Sequence, residues 1–93
     1  MNWSQTHYDI ETKVGQKYPI TYFYKGDKKI LDISPGCGCT SADLNENMLQ
    51  IVFTAQPAPL AVSNYPYTTD KSILITYDDY STDKLTFTAK IYG

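Results

Sequence analysis

Lys71-Ser72-Ile73-Leu74-Ile75-Thr76-Tyr77, the polar run Asp78-Asp79-Tyr80-Ser81-Thr82-Asp83, and Lys84-Leu85-Thr86-Phe87-Thr88-Ala89-Lys90-Ile91-Tyr92 form the most regular stretch of this chain. Both outer runs alternate apolar and polar residues. A period of two is that of a strand with one face buried, so Leu85, Phe87, Ala89 and Ile91 belong to one inward face. The acidic, Ser/Thr-containing run between them reads as a turn, which makes the pair a β-hairpin.

The same pattern recurs upstream. Tyr18-Pro19-Ile20-Thr21-Tyr22-Phe23-Tyr24 alternates, with Ile20, Tyr22 and Tyr24 on one face, and stops at Lys25-Gly26-Asp27. Lys29-Ile30-Leu31-Asp32-Ile33 is a short apolar strand halted by Pro35-Gly36. After the punctuation of Asn45-Glu46-Asn47, Met48-Leu49-Gln50-Ile51-Val52-Phe53-Thr54 resumes with β-branched and aromatic residues. Ser41-Ala42-Asp43-Leu44 is compatible with one helical turn after Thr40. Residues 55–66 carry three prolines, which cannot donate ladder hydrogen bonds, and read as a long extended connection, the expected mobile or partner-contacting loop. Short strands separated by turn signals imply an all-β fold, an immunoglobulin-like antiparallel β-sandwich of about seven strands. The antibody pattern of Cys…Trp…Cys is absent, since Trp3 precedes both cysteines.

With 93 residues the chain is expected to form one domain. Residues 1–7 are expected as an N-terminal segment or arm and residues 8–93 as the sandwich. A formal net charge of −2 and no extended Lys/Arg cluster argue against nucleic-acid binding. No apolar run approaches the roughly 18 residues needed to span a bilayer, so membrane insertion is not expected. The first residues lack the basic and apolar regions of a secretory leader, which places the expected location in a virion or the cytoplasm.

Chemistry, if there is any, is expected at Ser34-Pro35-Gly36-Cys37-Gly38-Cys39-Thr40, which holds the only two cysteines. Closing a ring over one residue removes little unfolded-state entropy and strains disulfide geometry, so the favoured reading is two free thiols at a tight turn, small hydrophobes more than reagents. A strained disulfide or a redox thiol is an alternative. Metal binding is a further one, with Cys37, Cys39 and His7 as candidate ligands, but three soft ligands fall short of a structural zinc set. Cysteine catalysis would need His7 as its base, far from the turn in sequence. No catalytic residue and no cofactor is therefore expected. Asp78, Asp79 and Asp83 gather carboxylates but lack the spacing of a calcium loop, and a solvated turn is preferred. Nine tyrosines are too many for a core of this size to bury with their hydroxyls satisfied. Several should therefore form a contact surface; Tyr65, Tyr67 and Tyr80, placed in loops, and Trp3 are the interface candidates.

The order strand, turn, Ile30-Leu31-Asp32-Ile33, then Pro35-Gly36-Cys37-Gly38-Cys39-Thr40 resembles a bacterial family of small immunoglobulin-like domains marked by a Cys-Gly-Cys-Thr signature. Val14-Gly15-Gln16-Lys17 looks like that family's first turn, and Leu49-Gln50-Ile51-Val52-Phe53 echoes a later strand. The likeness covers about residues 8 to 92. It departs at Asn45-Glu46-Asn47 and in the proline-rich loop, and family members are commonly exported. The resemblance implies a fold and no activity. Small stand-alone sandwiches rich in Tyr and Thr are also similar in architecture to decoration proteins of bacteriophage particles.

The resulting expectation is a non-catalytic structural protein acting by protein–protein contact, an accessory or capsid-decoration subunit of a larger assembly such as a virion, docked on phage capsid or tail proteins. The alternatives are a metal or redox module at the cysteine turn and a surface-adhesion module.

Overall fold

The computed structural model describes residues 2–36, 38–58 and 64–93. Seven strands run in chain order: β1 (His7–Lys13), β2 (Lys17–Phe23), β3 (Ile30–Pro35), β4 (Thr40–Asn45), β5 (Met48–Thr54), β6 (Tyr67–Tyr77) and β7 (Thr82–Tyr92). They form a four-stranded sheet of order β1-β7-β6-β3 and a three-stranded sheet of order β2-β5-β4. The protein is an all-β sandwich. One pairing departs from the expected antiparallel scheme, because β1 runs parallel to β7. The turn at Gly15, whose φ of +83° suits a residue without a Cβ, carries the chain from β1 in one sheet to β2 in the other, so β1 cannot hairpin onto β2.

The core lies where the two inner faces meet. Ile73, Ile75 and Tyr77 of β6 and Leu85, Phe87, Ala89 and Ile91 of β7 face Ile20 and Tyr22 of β2 and Leu49, Ile51 and Phe53 of β5, all buried. Phe53 and Phe87 meet edge to face across the sheets with ring centroids 5.3 Å apart, a geometry that aligns a positive ring edge with a negative ring face. Tyr22 is fully buried, and its hydroxyl donates to the Thr86 carbonyl at 2.7 Å, which ties the two sheets and satisfies the phenol.

Two expectations are corrected here and one open alternative is decided. Residues 41–44 form no helical turn: they lie in β4 and pair with β5 from Thr40 opposite Phe53 to Asn45 opposite Met48. Tertiary pairing overrides a weak local preference at that point. Of the two readings of the N-terminus, a segment or an arm, residues 2–6 take the first. Ser4 N–H donates to the Phe23 carbonyl at 2.9 Å, Lys25 N–H to the Asn2 carbonyl at 2.6 Å and Thr86 N–H to the Thr6 carbonyl at 2.9 Å, so the segment is laced onto both sheets. Tyr67, expected in a loop, opens β6 opposite Ile91. Of the proline-rich connection, residues 59–63 lie outside the described residues.

Candidate interaction surface

The β6–β7 hairpin sets the most exposed aromatic of the described residues on a braced tip. Tyr77 N–H donates to the Ser81 carbonyl and Tyr80 N–H to the Tyr77 carbonyl, both at 2.9 Å, which closes the turn. Asp79 accepts from the Ser81 backbone at 3.0 Å and from the Ser81 hydroxyl, and Lys28 Nζ reaches the Asp79 carboxylate at 2.9 Å. The Ser81 hydroxyl first, and then Lys28, hold the Asp79 carboxyl well below the usual carboxylate range. In turn the hydrogen bond to Asp79 raises the pKa of Lys28. Between these clamped residues Tyr80 sits with φ of 64° and a relative exposure of 81%. A bulky side chain at positive φ is strained, and here the ring gains little packing in return.

Beneath the tip lies an aromatic stack. Tyr24 is 5.1 Å from Trp3 and 5.8 Å from Tyr77, centroid to centroid. Trp3 Nε1 donates to the Tyr77 hydroxyl at 2.9 Å; that hydroxyl donates onward to Asp83, which also accepts from Asn2 Nδ2 at 3.2 Å. Burial first, and then donation to Asp83, push the Tyr77 phenol up to about 12. Trp3 is therefore no interface residue. It is 2% exposed, and its indole N–H is spent inside the fold.

The other interface candidates divide. Tyr65 is partly exposed, stands edge to face with Tyr67 at 5.8 Å, and accepts the Ala58 N–H at 2.9 Å. The Tyr67 hydroxyl donates to the Gln56 carbonyl, and burial first, then Tyr65, raises its pKa. These two rings pin the ends of the proline-rich connection, a structural task that competes with partner contact. Tyr80 alone of the four is both strongly exposed and unengaged by its ring.

The cysteine turn also differs from the expected free thiols. Cys39 is disulfide-bonded and does not titrate, while Cys37 lies outside the described residues. Half-buried against the core, Cys39 accepts the Thr54 N–H at its carbonyl, 2.9 Å away. A sulfur held in a disulfide offers no thiolate to a metal or to catalysis. His7 sits elsewhere, on the outer face of β1, with Nδ1 2.7 Å from Thr86 Oγ1 and Nε2 3.2 Å from Asp9 Oδ1. Cys39 adjoins Tyr67, which is level with Ile91, whereas His7 is level with Thr86, about 17 Å away along the strand at the usual rise per residue. Among the described residues no three His, Cys, Asp or Glu side chains gather as a metal site. Asp78 and Asp79 do not converge with Asp83, whose carboxylate is committed to Tyr77 and Asn2. No helix among the described residues is long and apolar enough to cross a membrane.

The sequence reading missed the Lys28–Asp79 clamp, which joins residues 51 positions apart, and passed over the alternation in His7-Tyr8-Asp9-Ile10-Glu11-Thr12-Lys13 that marks β1. The second was legible: every other residue from Tyr8 to Thr12 turns inward.

No family model matches the chain, the Cys-Gly-Cys-Thr family included, and no curated protein matches it. Among solved structures it is similar to a point mutant of the SrpA adhesin from Streptococcus sanguinis, with a TM-score of 0.61 and 14% identity over 88% of this chain and 53% of that one. The chain thus spans about half the length of that structure. At this identity the likeness shows the fold: a β-rich architecture shared with a bacterial adhesin.

Proposed function

We propose that this domain is a non-catalytic adhesion module that binds a protein-bearing surface through side chains on its hairpin tip. One observation carries the reading: Tyr80, 81% exposed, is held at φ of 64° on a turn braced by Lys28, Asp79 and Ser81. Strain of this kind costs about 1–3 kcal/mol and persists only where the surroundings enforce it. A rigid aromatic loses little entropy on binding, which suits it as an anchor. The adhesin likeness agrees with the reading at the level of fold. A narrower reading, an accessory subunit on phage capsid or tail proteins, rests on architecture alone, so adhesion is preferred.

The test is attachment of beads carrying the domain to a panel of bacterial and animal cell surfaces, before and after proteolysis of those surfaces. Protease-sensitive attachment that falls at least tenfold in the Tyr80→Ser variant supports the proposal. Attachment to none of them, or equal attachment by Tyr80→Ser, overturns it.

A further inference from the structure

The two strands on one flank of the sandwich treat their outer edges differently. On β2, Pro19 has no N–H to offer, the Thr21 carbonyl accepts the Tyr8 hydroxyl at 2.8 Å and the Phe23 carbonyl accepts Ser4 N–H at 2.9 Å. That edge is blocked in the manner by which natural sheets avoid further pairing.

The β1 edge is open at its centre. In parallel pairing alternate residues spend both backbone groups on the neighbour. The bonds from Thr86 N–H to the Thr6 carbonyl and from Val14 N–H to the Tyr92 carbonyl put Tyr8, Ile10 and Thr12 in that role, so His7, Asp9, Glu11 and Lys13 turn their groups outward. Gln5 Nε2 covers the His7 carbonyl at 2.6 Å and Gln16 N–H covers the Lys13 carbonyl at 3.0 Å. Between those two covers, the N–H and C=O of Asp9 and Glu11 have no partner among the described residues. A groove of about 650 Å³ opens beside them, lined by Asp9, Ile10, Glu11, Tyr18 and Lys90, and runs on into one of about 330 Å³ past Pro19 and Ile20.

Charge decides the occupant. In antiparallel self-pairing centred on the open stretch, at Ile10, Asp9 of each copy stands opposite Glu11 of the other, two carboxylate pairs in one ladder; centring on Asp9 or on Glu11 leaves one such pair at the axis, the latter with Asp9 opposite Lys13. Like charges directly opposite destabilise a pair, so a second copy centred on the open stretch is disfavoured. Glu11 makes no ion pair among the described residues, and the ammonium of its cross-strand neighbour Lys90 lies 5.7 Å over the Tyr92 ring. We propose that β1 accepts an extended basic segment of a partner protein as an added strand, with Lys or Arg at alternate positions beside Asp9 and Glu11. The intervening apolar side chains of that segment lie over Ile10 and Tyr18. Backbone bonds supply affinity in this mode and the alternate side chains supply selectivity. The site is separate from the Tyr80 tip, and either can fail without the other.

The test titrates the domain with a labelled eight-residue peptide alternating Lys and Val, with a Glu/Val peptide as control, while NMR follows the amides of the domain. Saturable binding of the Lys peptide alone, with shifts centred on the Asp9 and Glu11 amides, is expected. Glu11→Pro deletes one outward N–H and spares the β7 ladder; the charge reversal Asp9→Lys with Glu11→Lys keeps the backbone intact. Each should weaken binding at least tenfold, and Tyr80→Ser should leave it unchanged. No saturable binding, equal binding of the Glu peptide, indifference to both β1 variants, or a dimer that Glu11→Pro dissolves would each overturn the proposal.

Discussion

The indole N–H of Trp3 donates to the hydroxyl of Tyr77 at 2.9 Å across 74 residues of sequence, so the N-terminal segment is sealed to the end of β6, where the β6–β7 turn begins, by one buried hydrogen bond. Trp3→Ala removes both the ring from a buried site and the donor, and should cost about 3–5 kcal/mol. Tyr77→Phe keeps the ring and orphans the indole N–H, at about 1–3 kcal/mol. Urea unfolding midpoints check both, and an unchanged midpoint for Trp3→Ala would refute the core assignment.

Alkali should unfold the protein through its phenols. Burial first, and then the bond to Asp83, push the Tyr77 phenol from its ordinary 10.0 up to about 12 in the folded chain, and burial raises Tyr22 in the same direction. Below pH 10 both states hold the proton and stability does not change; above it the unfolded chain releases the proton first, so stability falls as pH climbs toward 12. Tyr77→Phe should flatten that fall in denaturation curves taken between pH 9 and 12. An equally steep fall in the variant would assign the effect to other groups.

Gly26 has no room for a side chain. A Cβ there would sit 2.5–2.7 Å from the Tyr24 ring and hydroxyl. That ring cannot swing aside cheaply, because it is stacked with Trp3 and Tyr77 and its hydroxyl donates to the Lys28 carbonyl at 2.9 Å. Gly26→Ala should destabilise by about 1–3 kcal/mol, and the double variant with Tyr24→Ala should recover little further loss from the alanine. A double-mutant cycle measures the coupling.

Tyr80→Gly should stabilise the fold by up to about 1 kcal/mol. Glycine adopts positive φ without strain, and a ring 81% exposed gives up little packing. Thermal melts decide it: a lower Tm would show that the ring contributes contacts its exposure conceals.

Local pattern was enough for the sandwich. The inward set Leu85, Phe87, Ala89 and Ile91 is fully buried, as strict alternation requires, and the strands at Tyr18, Ile30 and Met48 fall within a few residues of where turn chemistry ends them. What the sequence could not decide depends on residues far apart in the chain. Trp3 stands alone in a polar run, and only the arrival of Tyr24 and Tyr77 turns it into core. Residues 40–45 become a strand because β5 offers a partner edge, a force absent from their own propensity. Which tyrosines are buried, and which edge of which sheet is left open, follow from how two sheets stack and from β1 joining β7 in parallel, relations that a period of two along one strand cannot encode.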